Sequence, residues 1–102
     1  MAAIIRALSI ASEELLDAIG YYEQRQQGLG LRFWHEYAFC LSVIQYAPNM
    51  SQAYASGIRK AKLRHFPFQV VYWYDGDLIL IIAVAHTARK PNYWIDRVKH
   101  SK

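Results

Sequence analysis

The sequence is short of the residues from which most small functional sites are built. Cys40 is the only cysteine, which excludes an intrachain disulfide and any multi-cysteine metal site. It falls in an apolar stretch, where a packed thiol rather than a nucleophile is the ordinary reading, and it points to a reducing cytoplasm. The histidines at 35, 65, 86 and 100 show no paired metal spacing, and neither H-E-x-x-H nor C-x-x-C occurs. There is no P-loop, dinucleotide fingerprint or G-x-S-x-G. Asp75 and Asp77 are close, but they flank a turn glycine and are explained by backbone chemistry. No metal or cofactor is expected, and paired-carboxylate catalysis has no candidate.

Long apolar runs are also missing. Residues 78–85 form an uncharged run far too short to cross a bilayer. The apolar start is interrupted by Arg6 and followed by Glu13 and Glu14, so it does not read as a signal peptide. The expectation is a soluble cytoplasmic protein that does not engage a membrane.

What the chain does contain is apolar and aromatic. Of its 102 residues, 54% are hydrophobic and 15% aromatic, enough for one domain with a real core. A net charge of +4 permits an acidic or RNA partner without requiring one, because solvated lysines give the same excess. No repeat, low-complexity tract or linker divides the chain. Residues 1–97 read as a single domain and 98–102 as a short, basic, mobile tail.

Residues 3–8, with Ile4 and Ile5, read as an edge strand. Ser9 or Ser12 is placed to cap the helix that follows, with Glu13, Glu14 and Asp17 near its positive end. Leu15, Ile19 and Tyr22 form its apolar stripe, and Gly20 is a point for close packing. Gly28-Leu29-Gly30 ends this helix rather than cradling a phosphate, since no strand precedes it. A second helix over 31–46 carries Phe33, Tyr37, Cys40 and Ile44. Trp34, Leu41 and Val43 widen that stripe into a face expected to meet both the first helix and a sheet.

Residues 51–57 read as a connection and 58–65 as a strand. Lys60, Lys62 and Arg64 share one face of it, as a solvated edge or as a surface aimed at something anionic. A hairpin follows around Asp75-Gly76. Its first strand alternates Phe68, Val70, Tyr72 and Tyr74 against Gln69, Val71 and Trp73. Its second lacks alternation and therefore reads as central and covered on both faces. The fold class expected is α+β: an N-terminal strand and an αα-hairpin packed on a mainly antiparallel sheet.

The second hairpin strand opens into a polar cluster holding His86, Arg89, Lys90, Tyr93 and Arg97. With Lys60, Lys62 and Arg64, such a set can bind phosphates and stabilise a phosphorane-like transition state. It can equally cap the end of a sheet and stay solvated.

Ile58-Arg59, Phe66-Pro67-Phe68 leading into Val71-Tyr72, the apolar run 81–84, His86, Arg89, Pro91, Tyr93-Trp94 and Arg97 resemble, in that order, the RelE/ParE toxin superfamily. Glu14-Leu15, Tyr22-Glu23, Leu29-Gly30 and Phe33 extend the resemblance into the first half, so it covers nearly the whole chain. The resemblance implies the toxin of a type II toxin–antitoxin system. Its partner would be a cognate antitoxin whose disordered, acidic C-terminal segment folds on the toxin, giving a hetero-oligomer. The target would be DNA gyrase in the ParE-like, plasmid-stabilisation branch, or ribosome-bound mRNA in the RelE-like nucleases.

For a nuclease, the resemblance carries Arg64, Arg89, Tyr93 and His86 into catalytic roles. For binding, it leaves Arg59, Lys60, Lys62, Lys90 and Arg97 as partner or nucleic-acid contacts. Arg64 stands before Phe66-Pro67, whereas the nuclease arginine sits in the following strand, which is apolar here. The P-x-Y-W-x-x-R ending and the F-P-F-Q-V-V-Y segment look closest to the ParE-like branch.

Overall fold

A computed structural model describes residues 3–55 and 57–101, residues 99–101 by backbone alone. The elements run β1 (Ile4–Ala7), α1 (Ser9–Arg25), α2 (Leu29–Tyr46), β2 (Gln52–Ala55), β3 (Ile58–Lys62), β4 (Phe68–Tyr74), β5 (Leu78–His86) and α3 (Ile95–Ser101). The five strands make one sheet in the order β1-β5-β4-β3-β2. β1 lies parallel to β5, and the other pairs are antiparallel. The architecture is α+β, with α1 and α2 forming a helical hairpin over one face of the sheet.

The chain enters α1 directly from the sheet. The Leu8 N–H is still bonded to the Ile81 carbonyl at 3.0 Å, while the Leu8 carbonyl already accepts from Ala11 and Ser12. Leu8 is therefore the N-cap, in extended conformation, and no side chain caps the helix. The serine cap expected at Ser9 or Ser12 is absent because the sheet fixes where the strand ends. At the other end Gly28 adopts φ 90°, the left-handed geometry that glycine takes at least cost. The Glu23 carboxylate reaches across this turn to the N–H groups of Gly28 and Gly30, satisfying donors at the start of α2.

Close helix packing falls on a different glycine from the one expected. A Cβ on Gly20 would meet nothing within 4 Å, whereas one on Gly30 would sit 2.7 Å from the Ile19 carbonyl. Gly30 lets α2 ride against α1. The apolar face of α2 is also narrower than the sequence suggests. Phe33, Tyr37 and Ile44 are buried, but Trp34 and Val43 are exposed.

The core has two faces. Leu15, Phe33, Tyr37, Val70, Tyr72, Ile79 and Ile81 fill the helical side of the sheet. On the other side Ile58, Val71, Ala83 and Ala85 pack around Trp94, with Ile95 and Val98 of α3 against them. This second cover explains why β5 lacks alternation. The β4 alternation divides between the two faces as its spacing requires.

Two boundaries differ from expectation. Residues 52–55 form β2, a strand whose side chains are all exposed and which is held by its backbone ladder to β3. β3 is therefore not an edge. The domain boundary expected at Arg97 falls inside α3, which continues to Ser101. Lys102, the last residue of the expected tail, lies outside the described residues.

Candidate functional site

The polar end of β5 is organised by a residue from the first helix. Val71 pairs with Ala83 and Tyr72 with Ile81, so Ile82 is the extra residue of a bulge in β5. β1 stops opposite Ile81, which leaves the next backbone groups of β5 without a strand partner on that side. Glu14 and Arg97 take them. The Val84 N–H donates to Glu14 Oε1 at 3.0 Å, and Arg97 Nη1 donates to the Ile82 carbonyl at 3.1 Å.

Glu14 and Arg97 are also bonded to each other in a two-pronged pair, at 2.9 and 3.0 Å. Tyr93 donates its hydroxyl to Glu14 Oε2 at 2.6 Å. One carboxylate thus ties α1, the β5 bulge, the 87–94 loop and α3 together. Burial, the hydrogen bond to Glu14 and its charge push the Tyr93 phenol up to about 12. The bond to Glu14 likewise raises Arg97. A phenol ionising near 12 stays neutral at physiological pH, which makes it a poor general base there.

The remaining polar groups here are open. His86 Nδ1 accepts the Ala88 N–H at 3.0 Å, and its ring stands edge-on to Phe68 with centroids 5.0 Å apart. The Arg89 guanidinium lies over the Tyr93 ring at 3.8 Å, an arrangement that holds a cation without neutralising it. Lys60 approaches from β3, 3.9 Å from the Tyr54 ring and 5.5 Å from that of Trp94. Lys60, His86, Arg89, Lys90 and Tyr93 line one depression of about 180 Å³. Asn92, at φ 63°, lines it too, and its buried Oδ1 has no hydrogen-bond partner.

The other expected site residues lie elsewhere. Arg64 borders a separate depression with Arg32, His35, Glu36, Phe39 and His65. There Glu36 accepts the His65 N–H at 2.5 Å and lies 2.9 Å from its Nδ1. Burial pushes the Glu36 carboxyl up, but these contacts outweigh it and hold the group below its ordinary value. Lys62 joins Arg64 along a groove between α2 and β3. Arg59 donates to the Asn49 and Ser51 carbonyls at 3.0 and 2.8 Å, fastening the chain after α2 to the sheet. Cys40, its thiol pushed up to about 11 by burial and by Glu36, is not a nucleophile at neutral pH.

A larger groove of about 760 Å³ runs between α1 and the β4–β5 end. Tyr21, Tyr22, Leu29 and Phe68 line it, with Arg25 and Arg89 among its exposed residues. Sequence reasoning missed Glu14 as the organising residue. A signal for it existed: Glu14 is three residues after Ala11 and four before Ala18, so it shares their buried side of the helix. Among the described residues no group of three or more His, Cys, Asp or Glu is placed to hold a metal ion. No helix among them is long and apolar enough to cross a membrane.

This arrangement, an αα-hairpin over one face of a five-stranded mixed sheet with a short C-terminal helix on the other, has a counterpart among solved structures. A solved chain of the chromosomal ParDE toxin–antitoxin system from P. aeruginosa superimposes with a TM-score of 0.71. It covers 82% of this chain and 95% of its own length at 16% identity. At that identity the likeness is one of fold. No protein-family model and no curated protein matches the sequence.

Proposed function

We propose that the chain is the toxin of a type II toxin–antitoxin pair, of the ParE-like kind, that arrests growth by binding DNA gyrase. A cognate antitoxin neutralises it, docking an acidic C-terminal segment into the groove beside α1. The observation that carries this reading is the fold shared with a ParDE chain over 82% of the protein. The groove supports the partner: aromatic walls suit the apolar face of a segment that folds on binding, and Arg25 and Arg89 suit its acids.

A RelE-like, ribosome-dependent endoribonuclease is the second reading, favoured by the cations gathered around Lys60, His86, Arg89 and Lys90. Two features weigh against it. Arg64 stands with α2 rather than with that cluster, and Tyr93 is committed to Glu14. The deciding experiment places one preparation in a gyrase supercoiling assay and in a translation-coupled mRNA cleavage assay. Inhibited supercoiling with intact mRNA is the expected result. Cleaved mRNA, lost on Arg89→Ala, would establish the nuclease instead. Induced expression without growth arrest, in a chain that still binds its antitoxin, would identify a non-toxic member and reject both.

A further inference from the structure

The depression shared by α2 and the turn after β3 lies apart from the groove beside α1 and the cluster at the end of β5 that carry the readings above. Arg32, His35, Arg64, His65 and Phe39 line it, all exposed, in a volume of about 330 Å³. It runs into the groove between α2 and β3, which shares Glu36, Phe39 and Arg64 and adds Lys60 and Lys62. Among the described residues Glu36 is the only acid lining either one, and His65 already engages both its oxygens. A solvated helix face ordinarily mixes charges of both signs. Here Arg32 and Arg64, with Lys62 along the adjoining groove, form a cationic strip beside a phenylalanine ring that is 56% exposed. The Lys60 ammonium lies on the other face of the sheet, against Tyr54 and Trp94.

We infer that this strip binds single-stranded nucleic acid, Arg32 and Arg64 taking backbone phosphates and Phe39 stacking on an unpaired base. The planar guanidinium fork matches phosphate oxygens two at a time. A bare aromatic beside a cationic track is the arrangement by which single strands are held without sequence preference, and a duplex would leave the ring unused. An acidic protein segment would fit the guanidinium forks equally well. The exposed ring, placed to stack on a flat base, is what favours a single strand. Neither the antitoxin groove nor Tyr93 enters this site, so it stands or falls independently of the toxin reading.

The test is fluorescence anisotropy with a labelled oligothymidylate of about 12 nucleotides, within the span of one single-strand site, titrated across a salt series. The doubly substituted Arg32→Glu, Arg64→Glu protein is expected to bind at least tenfold more weakly. Its salt slope should flatten by about 1.4, at about 0.7 per lost phosphate contact. Phe39→Ala is expected to lose about tenfold with the slope unchanged, as loss of a stacked base would give. All three side chains are exposed, so melting temperatures should be unaltered; Arg32→Gln, Arg64→Gln provides a milder second variant. Unchanged affinity in both arginine variants would overturn the proposal. So would loss confined to Lys90→Glu, or a poly-glutamate peptide binding where the oligonucleotide does not.

Discussion

Glu14 is the residue on which the most structure depends. It accepts from Val84, Tyr93 and Arg97, and its ion pair with Arg97 is largely shielded, at 14% and 15% side-chain exposure. Removing one partner of such a pair leaves the other charge uncompensated, at a cost of about 3 kcal/mol. Glu14→Ala should lose about that much in urea unfolding, and Glu14→Gln less, because the amide oxygen can still accept from Val84. Equal losses would mean that the charge carries the whole contribution and the retained acceptor none. Tyr93 gives a pH signature. Its folded-state value is raised, so its contribution is intact below the ordinary tyrosine value near 10 and is lost as pH rises through about 12. In a tyrosinate absorbance titration Tyr93→Phe should remove one of the late-ionising phenols, Tyr37 at about 12 being another.

At the scale of elements, two glycines in the helical hairpin carry opposite expectations. Gly30→Ala would set a methyl 2.7 Å from the Ile19 carbonyl and 3.0 Å from Glu23, whose carboxylate also serves the turn. The helices must separate, and a loss of about 1–3 kcal/mol is expected. Gly20→Ala enters open space on a helix and should gain about 0.5–1 kcal/mol. Thermal melting of the two variants separates them, and a destabilised Gly20→Ala would contradict the open geometry. The sequence marks Gly20 and Gly30 alike as small. Which of them meets a neighbour depends on how α1 crosses α2, and no local pattern encodes that crossing.

For the whole molecule, the groove beside α1 leads to a prediction about linkage. A segment that binds only the folded chain stabilises it by about 2.7 kcal/mol at a hundredfold excess over its Kd. An acidic peptide from the cognate antitoxin should therefore raise the melting temperature by more than 10 °C, at roughly 4–8 °C per kcal/mol for a domain of this size. Arg25→Glu and Arg89→Glu should each reduce the shift. A shift untouched by both would place the partner elsewhere.

The sequence by itself determined the elements that carry a periodic apolar signal. The stripe on α1, the buried line of α2, the alternation of β4 and the two-sided burial of β5 follow from side-chain spacing, because each burial face is written at 3.6 or at 2 residues. It also placed His86, Arg89 and Tyr93 at one end of β5. Only the tertiary structure decided what lacks that signal. β2 is held by backbone hydrogen bonds between exposed residues, so its side chains reveal nothing. The serine cap gave way to a backbone bond from the sheet. The polar end of β5, whose open bulge selects a carboxylate 70 positions earlier in the chain, is a long-range pairing that no local window contains.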